Sequence, residues 1–110
     1  PWLPVGAGHE DVAADVQAAD PHSMLAWTRA LIALRQREPA LRLGSADVII
    51  AAGDLLVLDR VWQGQRLRCA FNLGSADLAP DLGDGHVIAS HGGASPQGLP
   101  AFSGMVMRCA

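Results

Sequence analysis

Four histidines, His9, His22, His86 and His91, are the residues most able to hold a metal ion, and their spacing argues against it. His86 and His91 stand five positions apart, so on a regular strand they point to opposite faces. His9 and His22 fall in different elements, and no H-E-x-x-H or cysteine–histidine cluster with zinc spacing occurs. The histidines read as surface or hydrogen-bonded residues, with no metal and no cofactor assigned. Cys69 and Cys109 form no C-x-x-C pair. Small domains in oxidising compartments carry dense cysteine frameworks, so this pattern predicts two free, mostly buried thiols in a reducing cytoplasm.

Phosphate and acyl chemistry find no better footing. Gly6-Ala7-Gly8 and Gly83-Asp84-Gly85 lack the third glycine of a dinucleotide loop, and a chain without lysine has no Walker loop. Ser23, Ser90, Ser95 and Ser103 sit in no Gly-x-Ser-x-Gly elbow. Asp77, Asp81 and Asp84 cluster in sequence, but among turn residues, where aspartate caps the backbone and does not face a partner carboxylate across a cleft. No catalytic residue is assigned. Sugars stack on exposed aromatic rings, and of Trp2, Trp27, Trp62, Phe71 and Phe102 only Trp62, beside a hairpin turn, reads as an exposed platform. It is a single weak candidate for carbohydrate binding.

Composition narrows the partners. The 110 residues are 50% apolar and 17% charged with mean hydropathy +0.21, which suits one folded domain with its own core. No apolar run reaches the ~18 residues of a bilayer-spanning helix, so no membrane partner is expected. Eight arginines are interleaved with eleven acidic residues for a net charge of −3, which gives nucleic-acid phosphates no basic face.

The elements follow from periodicity and punctuation. Residues 1–19 read as irregular chain with a short helix around Val12 and Val16. Asp20 is a good N-cap and Pro21 suits the first helical position, so a helix is predicted over 21–37, ended by Pro39. Its apolar residues form two stripes, 24/27/31/34 and 25/28/32, where a helix lying on one sheet needs one. The second stripe implies a neighbour that this chain does not supply.

After Gly44 the period falls to two. Strands are predicted at Ala46–Ala51, Leu55–Trp62 and Gln65–Asn72, with weaker ones at 77–82, His86–Ser90 and Gly104–Cys109. A two-residue turn at Gln63-Gly64 sets Leu58 opposite Cys69, Leu56 opposite Phe71 and Asp59 opposite Arg68. The fold class expected is an N-terminal α-helix followed by a small all-β antiparallel sandwich.

Several stretches resemble the C-terminal part of the α-amylase family of glycoside hydrolases, in its α-glucosidase and oligo-1,6-glucosidase branch. They are Pro1-Trp2-Leu3-Pro4-Val5, Asp20-Pro21-His22-Ser23, Arg29 to Arg35, Pro39 to Gly44, Phe71 to Gly74, and Leu99-Pro100 to Arg108. The match is carried mainly by residues 1–44, and the central strands match in pattern. The resemblance implies that 1–19 leave a (β/α)8 barrel, that 20–40 form the barrel's eighth helix, and that 41–110 form the Greek-key β-sandwich called domain C. It departs from the family at Ser90-His91-Gly92, where relatives often carry Ser-Asn-Tyr.

The family's catalytic carboxylates lie on earlier barrel strands, so none is carried onto this chain. The resemblance, the absent initiator methionine and the two-striped helix together imply a non-catalytic piece of a longer, cytoplasmic bacterial polypeptide whose missing catalytic barrel is the helix's partner. That parent would hydrolyse α-glucosidic bonds in maltose-like or isomaltose-like oligosaccharides, or act as a sucrose- or trehalose-dependent glucosyltransferase. The alternatives for the chain itself are a self-associating or partner-binding module, acting through the helix, and a weak carbohydrate-binding module.

Overall fold

The computed structural model describes Gly6 and residues 13–110. The Pro1–Val5 motif, Trp2, His9 and Val12 lie outside the described residues. The chain divides into two compact units, one ending at Leu34 and one spanning Arg35–Ala110.

The first unit holds α1 (Ala14–Ala19) and most of α2 (Met24–Arg37). The cap of α2 differs from expectation. Ser23, buried, accepts a 3.1 Å hydrogen bond from the Ala26 N–H and donates 2.6 Å to the Gln17 carbonyl, while the Gln17 side chain accepts from the Leu25 N–H at 2.9 Å. Two orphan donors of the first turn are thus satisfied three residues later than Asp20 would have done it. Asp20 instead accepts from the His22 N–H at 2.9 Å, closing the turn that contains Pro21. The helix ends at Arg37 as expected, and Pro39 then opens a further helix, α3 (Pro39–Leu43), at the position where a missing N–H is harmless.

The second unit is built on one five-stranded antiparallel sheet, ordered β1-β2-β3-β5-β4, from β1 (Ser45–Ala52), β2 (Leu55–Trp62), β3 (Gln65–Asn72), β4 (Gly85–His91) and β5 (Ser103–Cys109). The helix-then-antiparallel-β order is the expected one. The first three strands form a meander, and the chain then steps over the place of β5 to lay β4 at the far edge, a Greek-key-like crossover. The β2–β3 register is the one the hydrophobic pattern selects: Leu58 opposite Cys69, Leu56 opposite Phe71, Asp59 opposite Arg68. Its turn, Gln63-Gly64, has φ of +45° and +81°, the twist-matched geometry of a two-residue hairpin.

Residues 77–82 do not form a strand. Only Leu78 bridges, to Leu99, and a second isolated bridge joins Ser95 to Gly98. Pro80 has no N–H to give a ladder, and the flanking aspartates spend their oxygens on loop N–H groups. The layer over one sheet face is therefore made of two irregular stretches flanking β4, 73–84 and 92–102, which drop Leu82, Ala94 and Leu99 onto Val57, Ala70, Met105 and Met107 to make the core. Burying each Leu- or Met-sized side chain contributes about 1.5–3 kcal/mol. On the opposite face, Leu67 and Cys69 are buried and α3 lies over β2 and β3. Gly44 permits that approach, since a Cβ there would collide with the carbonyl oxygens of Ala40 and Val61.

Candidate functional site

The residues that could do chemistry are dispersed. His22, His86 and His91 are all exposed. A bulge at Ile88 inserts one residue into β4, so His86 pairs with Arg108 and His91 with Gly104. Both histidines therefore lie on one face, contrary to the regular-strand expectation, though separated by the length of the strand. No group of three or more metal-capable side chains occurs among the described residues.

The aspartates behave as caps: Asp77 accepts from the Ala101 N–H at 3.1 Å and Asp81 from the Gly83 N–H at 3.0 Å. Ser90 donates to the Ala94 carbonyl at 2.6 Å and Ser95 accepts from the Gln97 N–H at 3.3 Å. Trp62 is half-buried at the hairpin mouth, less open than the platform expected of it.

Both cysteines are free. Cys69 pairs across the ladder with Val106, so Cys109, three residues further along β5, projects from the other face and cannot reach it. Burial pushes the Cys69 thiol up to about 11, leaving it a poor nucleophile.

Two polar clusters lie on the sheet, the first hidden in the sequence and the second built on the expected Asp59–Arg68 pairing. In the first, Glu38, 4% exposed, sits at the joint between α2 and α3. Its Oε1 accepts from Arg108 Nη2 at 2.7 Å and its Oε2 from Gln65 Nε2 at 2.7 Å, and Gln65 Oε1 in turn accepts from the Ala40 N–H at 3.1 Å. The joint is thereby bolted to β3 and β5. In the second, Arg68 donates twice to Asp59, at 2.8 and 2.9 Å, and once to the Leu82 carbonyl at 2.9 Å. The Arg68 hydrogen bonds hold the Asp59 carboxyl below the usual carboxylate range against the opposing effect of burial, and Arg68 is raised in return.

What the described residues do present is uncovered apolar surface. Along α2 only Leu34 is buried, whereas Met24 is 67%, Ile32 54% and Leu31 37% exposed. In the second unit Leu43, Val48, Ile49, Leu73 and Phe102 are exposed. Phe102 also carries φ +54°, a left-handed conformation that costs a non-glycine residue roughly 1–2 kcal/mol.

Comparison with known proteins gives that surface a context. No protein-family model matches the chain. Over 82 residues it is 33% identical to a probable α-glucosidase of Rhizobium meliloti (strain 1021), a match covering 74% of this chain and 15% of the relative. Its fold superposes with a TM-score of 0.87 and 22% identity on the trehalulose synthase MutB from Pseudomonas mesoacidophila MX-45, covering 98% of this chain and 22% of the synthase. Isomaltulose synthase from Erwinia rhapontici NX5 gives a TM-score of 0.86 at 19% identity over the same shares. The chain therefore spans about a fifth or less of the length of the proteins it matches.

Proposed function

We propose, from the premise that this chain belongs to the α-amylase family of glycoside hydrolases and carries the C-terminal segment of its α-glucosidase branch, that it is a non-catalytic module stabilising a catalytic (β/α)8 barrel. One observation carries this reading: a well-formed helix that leaves Met24, Leu31 and Ile32 in solvent. A helix gains stability by burying an apolar face, and this one leaves residues of both its stripes uncovered for a larger partner. Within the second unit the Glu38–Gln65–Arg108 cluster supports the reading, because it secures the residue that follows α2 to β3 and β5.

The complete polypeptide would cleave α-glucosidic bonds, in keeping with the α-glucosidase likeness over 74% of the chain. A sucrose- or trehalose-acting glucosyltransferase is the alternative activity, and the synthases that share the fold make it worth assaying. Substrate choice would then rest with barrel residues and not with this segment. The free Cys69 and Cys109 suit a reducing, cytoplasmic setting.

The test is an assay of the 110-residue chain on maltose, sucrose and an aryl α-glucoside. No glucose release is expected, and turnover abolished by a substitution within this chain would overturn the reading. A second reading, self-association through α2, draws on the same exposed residues. Sedimentation at increasing concentration separates the two: a monomer throughout supports the barrel as partner, and a dimer lost on Ile32→Glu supports self-association.

A further inference from the structure

Phe102 opposes its own local preference. It lies in the turn that leads into β5, 66% exposed, with φ +54°. Glycine adopts that conformation without strain, and a ring there is uncommon. Strain of this kind persists only where the surroundings impose it, and it gathers at ligand sites. The surroundings do impose it. The Phe102 N–H donates to the Gly74 carbonyl at 3.0 Å, the Ala101 N–H to Asp77 at 3.1 Å, and the buried Asn72 amide to the Leu99 and Pro100 carbonyls at 3.0 and 3.1 Å. A flat apolar ring is thus offered to solvent on a rigid support.

Two residues before Phe102 in the same turn, Pro100 lines a groove of about 420 Å³ with Leu99, Asp77, Ser95 and Gln97. The groove is shallow and open to solvent, and it pairs apolar walls with a few polar groups. Asp77 spends one hydrogen bond on Ala101, and a carboxylate can accept up to about four, so it retains capacity for a hydroxyl. Gln97 is exposed and brings both a donor and an acceptor. A pyranose has an apolar C–H face that stacks on a ring and hydroxyls around its edge that seek a carboxylate or amide.

We propose that Phe102 and the Asp77–Gln97 groove form an oligosaccharide-binding subsite, the ring stacking on one sugar and the groove bonding the hydroxyls of the next. The choice of an α-linked glucan as ligand rests on the functional reading above, whereas the subsite itself rests on the geometry. Phe102 takes the platform role expected of Trp62.

The experiment is a titration of the ¹⁵N-labelled chain with maltoheptaose to about 10 mM, a range that detects millimolar affinity. Saturable shifts are expected at the amides of Asp77, Gln97, Ala101 and Phe102, weakened at least about tenfold by Phe102→Ala and by Gln97→Ala. Phe102→Gly removes ring and strain together, so it should raise the melting temperature while losing the binding. Absence of saturable shifts with maltoheptaose and with cellohexaose, or binding unchanged in Phe102→Gly, would overturn the subsite and leave the barrel-stabilising role untouched. Equal binding of β-linked cellohexaose would overturn the α-glucan assignment. Shifts at these amides that grow with protein concentration in the absence of sugar would assign the ring to self-association and also overturn the proposal.

Discussion

Arg108 and Glu38, seventy residues apart in sequence, meet at 2.7 Å and tie the last strand to the joint between α2 and α3. Glu38 is buried while the Arg108 side chain is 47% exposed, so solvent screens the pair from one side. Much of its worth lies in orientation, because Gln65 completes the cluster with its amide turned to serve both Glu38 and the Ala40 N–H.

Glu38→Ala removes the acceptor shared by Gln65 and Arg108 and should destabilise the chain by about 1–2 kcal/mol in urea denaturation. A double-mutant cycle with Arg108→Gln should show positive coupling. Strict additivity would mean that the pair has no energetic role.

The second cluster predicts acid sensitivity. Asp59 is 2% exposed and its carboxyl is depressed in the folded state by the Arg68 hydrogen bonds. A depressed acid contributes stability that is present above its unfolded value, 3.8, and is lost as pH falls through the lower folded value. Stability should therefore drop below about pH 4. Asp59→Asn should flatten that acid limb and cost about 3 kcal/mol at neutral pH, since Arg68 would be left partly buried without its counter-ion.

Thiol chemistry should separate the two cysteines. With Cys69 pushed up to about 11 from the usual 9.0, iodoacetamide at mildly alkaline pH should alkylate half-buried Cys109 first, and Cys69 only on unfolding. Mass spectrometry of partially labelled protein reads this directly. The raised value also means that stability falls as pH rises from 9.0 toward 11, because the unfolded chain releases this proton before the folded one does.

Asn72 holds the irregular layer in place. Its amide donates to the carbonyls of Ala76, Leu99 and Pro100 at 2.7, 3.0 and 3.1 Å, and its oxygen accepts from the Gly74 N–H at 3.0 Å. Asn72→Asp would set an acceptor-only carboxylate against three carbonyls and should destabilise by more than Asn72→Ala, itself costing about 2–3 kcal/mol. Hydrogen exchange should locate the loosening in 73–84 and 92–102, with β4 less affected.

The β2–β3 hairpin was legible in the sequence to the residue, because a two-residue Gln-Gly turn matches Leu58 with Cys69, Leu56 with Phe71 and Asp59 with Arg68. The helix end was legible because Pro39 allows nothing else. The helix start was not. Asp20 and Ser23 both satisfy the local rule, and the choice is made by Gln17, a side chain from the preceding helix.

The bulges at Ile49 and Ile88 were hidden for another reason: Val48-Ile49-Ile50 and Val87-Ile88 are apolar on both sides of any register, so nothing marks the extra residue. Nothing local singles out Glu38, because its partners are 27 and 70 residues away. Of the aromatic candidates, sequence favoured the ring beside the obvious turn, whereas exposure depended on the left-handed turn at Phe102, which no local motif announces.

The central claim, that α2 keeps an apolar face for a catalytic barrel, is tested most directly by thermal unfolding of Ile32→Glu in two settings. In the 110-residue chain alone, Ile32 is 54% exposed, so the substitution should leave the melting temperature within about a degree. In a polypeptide joining this segment to its barrel, the same substitution should lower the melting temperature by several degrees, as expected from losing about 1.5–3 kcal/mol of burial and placing a charge in an apolar contact. An equally small change in both would contradict the account.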